Sequence, residues 1–409
     1  MKTYTDTISV FNGFVNTFFS LRFCVILPAK IFIHPIITMG LFSTSNSITE
    51  EQILNTLRFI QDPDLHKDIV ALGFVKNINM KNHNVSFTIE LTTPACPVRD
   101  EMKNQAETEL RKAFPSLKKI DIEMTAQVRT SVRSQTPLLP QVKNTIAVAS
   151  GKGGVGKSTV AVNLAVALVK EGAKVGLLDA DIYGPSIPLM MGIPNGRPQI
   201  FQQKIFPLEN HNVKIMSIGF LVDPMQAIVW RGPMASGALK QFITDVEWGE
   251  LDYLIFDLPP GTGDIQLTLA QTLPLTGAVI VTTPQEISLA DVRKGFMMFE
   301  KVNVPTIGIV ENMSYYLCSH CGNRENIFDY GGGMRASKQL GVPFLGEIPI
   351  YTGTRIGGDE GIPIVMKEPN SEQAKAFLVV ARNMAAQISI QHLTKDFSTS
   401  SIDIQLGTN

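Results

Sequence analysis

The chain has 409 residues, which at about 150 residues per domain makes a single domain improbable and suggests two or three. Lys+Arg number 36 against 37 Asp+Glu, so no global cationic field exists to hold nucleic acid or an anionic membrane. With 44% hydrophobic and 18% charged residues the chain can build a core, and four cysteines are too few for a disulfide scaffold.

Residues 1–48 read as a leader or tail. The stretch to about Phe42 is rich in Phe, Ile and Val, with Lys2, Arg22 and Lys30 as its bases and Asp6 as its acid. A membrane span needs about 20 mostly apolar residues, and Arg22, Pro28, Lys30, His34 and Pro35 interrupt this run, so no stable membrane insertion is expected. The stretch fits neither a compact secretory signal nor an Arg- and Ser-rich presequence. A start at Met39, an organellar leader and a loose tail all stay open. The expected compartment is the cytoplasm, or an organelle matrix if residues 1–40 are a leader.

Residues 49–125 read as a small α+β domain. Thr49 followed by Gln52 forms a capping-box pattern ahead of Ile53, Leu57 and Ile60, predicting a helix from about Glu50 to Ile60. Asp62-Pro63-Asp64 stops it. The β-rich runs Gly73 to Met80 and Val85 to Thr92 predict a hairpin, followed by a helix from about Val98 to Ala113 and a strand near Ile120 to Met124. Cys96 falls where strand hands over to helix. A helix N-terminus lowers a thiol's pKa, so Cys96 is either a reactive thiol or a small buried hydrophobe at a tight turn. Residues 126–143 mix Ser, Thr, Gln, Pro137, Pro140, Arg129 and Arg133 without apolar period and read as a linker.

Residues 144–390 carry the main pattern. Asn144 to Ser150 is an apolar run of the buried parallel-strand kind, and it leads into Gly151-Lys152-Gly153-Gly154-Val155-Gly156-Lys157-Ser158-Thr159. This is a P-loop. Its glycines let backbone amides face phosphates, Lys157 neutralises the terminal phosphates, and Ser158 offers a hydroxyl to Mg²⁺. ATP and Mg²⁺ are therefore the expected ligands. The next apolar run ends at Asp179-Ala180-Asp181, and a further run ends at Asp257, placing carboxylates at strand ends where open α/β sheets bind ligands. Asp257 is the expected Mg²⁺ residue and Asp181 the expected group orienting the attacking water. Asp179 reads equally as catalytic or capping. The glycine-rich Gly261-Thr262-Gly263 can move with the γ-phosphate. Runs at 145–150, 174–179, 252–257, 278–283 and 305–310 alternate with helical stretches, predicting a mostly parallel α/β sheet with helices on both faces.

After the strand expected over Pro305 to Val310 comes Glu311-Asn312-Met313, then an expected polar, aromatic loop from Ser314 to Gly322 that carries Cys318 and Cys321. Two thiolates two residues apart can hold one metal centre, but a tetrahedral zinc or a cubane cluster normally takes four ligands. The missing half could come from Cys24 and Cys96, from His320, or from the same pair on a second copy. An iron–sulfur cluster, zinc and a redox pair are the competing uses.

The loop Gly151 to Ser158, with its early Lys152, resembles the deviant P-loop of the MinD/ParA/nitrogenase iron protein class. That resemblance implies that Lys152 reaches the nucleotide of a partner subunit, so the expected assembly is an ATP-dependent homodimer. The whole arrangement resembles the Mrp/ApbC-type iron–sulfur cluster carrier ATPases. The residues that carry this are the P-loop, Leu178 to Ser186, Arg231-Gly232-Pro233-Met234, Asp257 to Asp264, Glu311-Asn312-Met313, the Cys318/Cys321 pair and Gly358 to Pro363. Residues 49–125 resemble the small iron–sulfur assembly domain that precedes such ATPases, through Asp62-Pro63-Asp64 and Thr93 to Pro97. The resemblance implies ATP hydrolysis coupled to a labile 4Fe-4S cluster held on Cys318 and Cys321 between two subunits. It also implies transfer to apo iron–sulfur client proteins, contact with a cluster assembly scaffold, and Asn312 near the adenine. A spatial-organising ATPase of the MinD/ParA kind and a zinc-binding ATPase are the alternatives. The first would want a basic amphipathic helix, and the last helix, expected from Ser371 to Ile388, offers only Lys375 and Arg382. Residues 391–409 are expected to be a C-terminal tail, frayed from Ser398 to Asn409.

Overall fold

The computed structural model describes residues 48–63, 65–130, 138–221, 232–318 and 320–400. Nearly all of the leader, Cys24, Asp64, Arg133, Arg231 and Ser319 lie outside the described residues, as do residues 401–409.

The first elements are α1 (Glu50–Leu57), the short pair β1 (Gln61–Asp62) and β2 (Lys67–Asp68), then β3 (Val75–Lys81), β4 (Asn84–Leu91), α2 (Arg99–Ala113) and β5 (Lys119–Ala126). Thr49 and Gln52 close the capping box in both directions. Strands β3 and β4 pair antiparallel across Asn82 and His83, both at positive φ, and β5 joins β4 in parallel. One face of this sheet meets Ile53 and Leu57 of α1 and Met102, Ala106 and Leu110 of α2 in a core of its own.

The second part comprises β6 (Val142–Ala149), α3 (Lys157–Lys170), β7 (Val175–Asp179), α4 (Ile187–Met190), the hairpin β8 (Gln199–Phe201) and β9 (Lys204–Phe206), β10 (Leu208–Asn210), β11 (Val213–Ser217) and α5 (Gly232–Thr244). It continues through β12 (Leu251–Asp257), α6 (Asp264–Thr272), β13 (Gly277–Thr282), α7 (Glu286–Lys301), β14 (Thr306–Leu317), β15 (Arg324–Glu325), α8 (Gly332–Leu340), β16 (Phe344–Ile350), α9 (Thr352–Glu360), α10 (Ile364–Lys367) and α11 (Glu372–Ser400). A nine-stranded sheet runs β10-β11-β7-β12-β6-β13-β14-β15, with β16 also on β14. All pairings are parallel except β10 with β11 and β14 with β15. Every residue of β7, β12 and β13 is buried, which is why those runs read as continuously apolar. Helix α3 is apolar nearly all round because β-strands cover one side and α11 the other.

Three expectations need correction. Strand β14 does not stop at Val310 but continues through Leu317, so the loop expected from Ser314 begins only at Cys318. Helix α11 does not end at the expected Ile388 but runs to Ser400, and its buried Leu393 explains the extension. Within the expected linker, Val128 and Leu139 are buried in the main core, so the connection is tied down at both ends. A further tie is the buried contact of the Thr93 hydroxyl with Tyr253 Oη at 3.1 Å, between the β4–α2 connection and β12. Among the described residues no helix is long and apolar enough to cross a membrane.

Candidate functional site

The glycine-rich loop joins the end of β6 to α3 because its glycines allow approaches that no other residue permits. A β-carbon on Gly151 would overlap the backbone carbonyl of Asp291 in α7. Gly156, at φ +79°, is the N-cap of α3, and a β-carbon there would overlap Asn312 Nδ2. Val155 plugs the loop into the core and the Ser150 hydroxyl donates to the Lys152 carbonyl at 2.8 Å. The amides of the loop and of the first turn of α3 are thereby gathered at one point, the arrangement that receives phosphate.

Parallel register brings the carboxylates beside this loop, with Asp257 of β12 opposite Asp179 of β7. Lys157 Nζ, itself buried, lies 2.6 Å from Asp257 Oδ1, 3.3 Å from Ser158 Oγ and 3.8 Å from Asp181 Oδ2. Asp257 is fully buried and its Oδ2 has no hydrogen-bond partner. That orphaned oxygen next to the Ser158 side chain is the donor set a magnesium ion fits. Burial raises the Asp257 carboxyl above its usual range, while Lys157 and Ser158 pull the other way. Burial and then the neighbouring Asp257 push Asp179 up to about 8. Asp179 accepts from Ser217 Oγ at 3.0 Å, from the Asp181 amide at 3.2 Å and from the Ile187 amide at 3.3 Å, so it fastens the turn into α4. Burial also raises Asp181, with Lys157 opposing.

Lys152 is half-buried, and no ion pair or hydrogen bond of its ammonium is found among the described residues. Asn312 is buried on β14 and donates from Nδ2 to the Val155 carbonyl at 2.9 Å, which seats it on the loop. A cavity of about 480 Å³ opens beside it, lined by Gly156, Thr159, Asn312, Tyr351, Thr354 and Asp359 among others. Tyr351 and Thr354 were not singled out from the sequence. Their signal, the Gly358 to Pro363 stretch just beyond them, spans the far end of α9, whose N-cap is Tyr351, and the turn into α10.

The cysteines sit at the tip of the β14–β15 hairpin. The Cys318 amide donates to the Asn323 carbonyl at 3.0 Å, and the Gly322 amide donates to the Cys318 carbonyl at 2.9 Å, with Gly322 at φ +70°. Backbone amides of Cys321 and then His320 face the Cys318 sulfur and hold its thiol below the ordinary range, favouring thiolate. Cys318 is half-buried, and Cys321 and His320 are exposed. Arg324 stacks 3.8 Å from the ring centre of Tyr315 and pairs with Glu347 at 2.8 Å. Among the described residues no three His, Cys, Asp or Glu side chains gather as a metal site. Neither Cys96 nor His320 completes the Cys318/Cys321 pair. Cys96 instead packs against the small core and lines a polar cleft of about 430 Å³ with Arg99, Lys103, Glu171 and Arg382.

Comparison with known proteins agrees with this geometry. Residues 141–385 match the family described as NUBPL iron-transfer P-loop NTPase, and residues 50–124 match that described as iron-sulfur cluster assembly protein. The iron-sulfur cluster carrier protein of Synechocystis is 48% identical over 354 residues, 85% of this chain and 99% of that protein. That of Escherichia coli K12 is 46% identical over 340 residues, 82% of this chain and 91% of that protein. The chloroplastic Fe-S cluster assembly factor HCF101 of Arabidopsis thaliana is 48% identical over 335 residues, 80% of this chain and 62% of that protein. A solved nucleotide-binding protein from Archaeoglobus fulgidus, in complex with ADP, is 39% identical, with a TM-score of 0.53 over 61% of this chain and 98% of that one. The chain belongs to the Mrp/ApbC-type iron–sulfur cluster carrier family, within the NUBPL-like iron-transfer P-loop NTPases.

Proposed function

We propose that this chain is an ATP-hydrolysing carrier that holds a labile 4Fe-4S cluster between two copies of itself and passes it to apoproteins. One observation carries the reading. Two thiols, one drawn toward thiolate, stand at an accessible hairpin tip with no third ligand among the described residues, just past the end of the strand that rests against the P-loop. Two such pairs about a two-fold axis would supply the four thiolates a cubane cluster takes. The names of the carrier relatives support the cargo, and half-buried Lys152, whose ammonium has no partner among the described residues, supports a partner copy across the nucleotide.

In this scheme Gly151 to Thr159 wrap the triphosphate and Lys157 moves from Asp257 to the terminal phosphates. Ser158 and Asp257 would hold Mg²⁺, which when bound screens charge on the phosphate oxygens. Asp181 orients the water that attacks the γ-phosphorus as the bond to the bridging oxygen breaks, giving ADP and phosphate. Lys152 reaches the partner's nucleotide, and Asn312 bounds the adenine side. The cargo would be received from an assembly scaffold and given to client proteins in a reducing compartment. That compartment is the cytoplasm or an organelle matrix; the Arabidopsis relative is named chloroplastic. Anoxic reconstitution with iron and sulfide tests the reading. Wild type should hold cluster iron and Cys318→Ala should hold almost none; equal iron in both, or zinc alone, would remove the claim.

A further inference from the structure

The hairpin that presents the cysteines grows out of strand β14, and side-chain contacts lead along that strand from the P-loop to the hairpin. Strand β14 carries Asn312 against the Val155 carbonyl, and then Met313, whose φ of +55° is left-handed and whose Cε lies 3.5 Å from where a Gly156 β-carbon would stand. The register between β14 and β16 slips between Asn312 and Tyr316. A strained, bulged residue thus separates the P-loop contact from the thiols. Just past it, fully buried Ser314 Oγ lies 2.5 Å from Glu311 Oε1 and 2.8 Å from Glu347 Oε2. Glu311 is fixed on its other oxygen by the Gly333 amide at 2.5 Å. Glu347 in turn receives both terminal nitrogens of Arg324, at 2.8 and 3.3 Å. The Arg324 guanidinium also lies over Tyr315 and, at 4.7 Å, over Tyr330. Arg324 stands directly opposite Leu317, the residue before Cys318, and three residues after Cys321.

We propose that Arg324, held by Glu347, which Ser314 bonds in turn, is a positioning residue that makes the setting of the cysteine hairpin depend on nucleotide at the P-loop. The inference rests on the proposed carrier function for its purpose. Its physical content is separate: a change at Val155 and Gly156 moves Asn312 and Met313, the β14–β16 register answers at Ser314 and Glu347, and Arg324 carries that to the hairpin. Coupling of this kind is reciprocal, so a centre bound at the thiols would alter nucleotide affinity by the same factor. A plain structural staple would instead loosen the hairpin equally in every nucleotide state.

The test uses the full chain without metal, under anoxic conditions, and reads the rate of Cys318 alkylation by iodoacetamide with MgADP and with MgATPγS. Wild type should show rates that differ about fivefold or more between the two nucleotides. Arg324→Ala and Glu347→Gln should bring that ratio to within about twofold of one while ADP affinity is unchanged, and Arg324→Lys should restore part of it. A wild-type ratio retained in both variants, or a ratio of one in wild type, overturns the proposal. Glu347→Gln decides the matter if Arg324→Ala does not fold. Iron content of the reconstituted wild type is measured in parallel. Absence of cluster iron there would remove the carrier reading while the alkylation ratio still decides the coupling.

Discussion

The nucleotide loop and the cysteine hairpin solve opposite problems. At the floor of the loop the charged groups are enclosed: Lys157, Asp179 and Asp257 are buried, and the hydrogen bonds of Asp179 and Lys157 end within the fold. At the hairpin the thiols are accessible and two ligands short of a cluster site. On the proposed reading, a site that must bind and release nucleotide repeatedly is built into the fold, whereas a site that must surrender its cargo is left open. Mutations should therefore register in stability on one side and in cargo on the other.

The sharpest break is Lys157→Ala. It removes the ion pair of Asp257 and the phosphate's counter-charge together, so steady-state phosphate release should fall by about a hundredfold or more, while cluster loading stays near wild type. A rate within tenfold of wild type would show that Lys157 is not part of the hydrolytic site. Gly151→Ala comes next. The added methyl meets the Asp291 backbone, which cannot swing aside, and overpacking of this kind costs about 1–3 kcal/mol in a urea titration and weakens ADP binding. An unchanged midpoint would mean that α7 yields.

The Asp179–Asp257 pair gives the enclosed side a pH signature. Asp179 keeps its proton in the fold up to about pH 8, whereas an unfolded aspartate releases it near 4. The folded chain therefore binds more protons across that window, and stability falls as pH rises through it. Asp179→Asn should flatten that fall, which one proton makes about 1.4 kcal/mol per pH unit, in urea midpoints taken between pH 5 and pH 8 with EDTA. An equal slope in both proteins would place the proton elsewhere. The smallest effect belongs to the open side: Cys318→Ala should lose the cargo yet shift the unfolding free energy by less than about 0.5 kcal/mol.

The two regions also differ in how far the sequence discloses them. The P-loop and the strand-end aspartates are legible because buried parallel strands leave unbroken apolar runs, and the glycines mark where backbones touch. The reach of β14 to Leu317 is not. Glu311, Ser314 and Tyr316 are polar, and their place in the sheet depends on partners as distant in the chain as Glu347 and Gly333. Periodicity is blind to polar groups that satisfy one another. The same holds for Tyr351 and Thr354 at the cavity, and for α11, whose last turns follow from what Leu393 packs against rather than from any stop signal.

The central claim is that two copies share one centre through four sulfurs. Native mass spectrometry of the anoxically reconstituted chain with MgATP tests it most directly. The account predicts a dimer carrying four iron and four sulfide, and a Cys321→Ala chain that carries neither. A monomer in every nucleotide state, or a dimer whose iron survives loss of both Cys318 and Cys321, would contradict it.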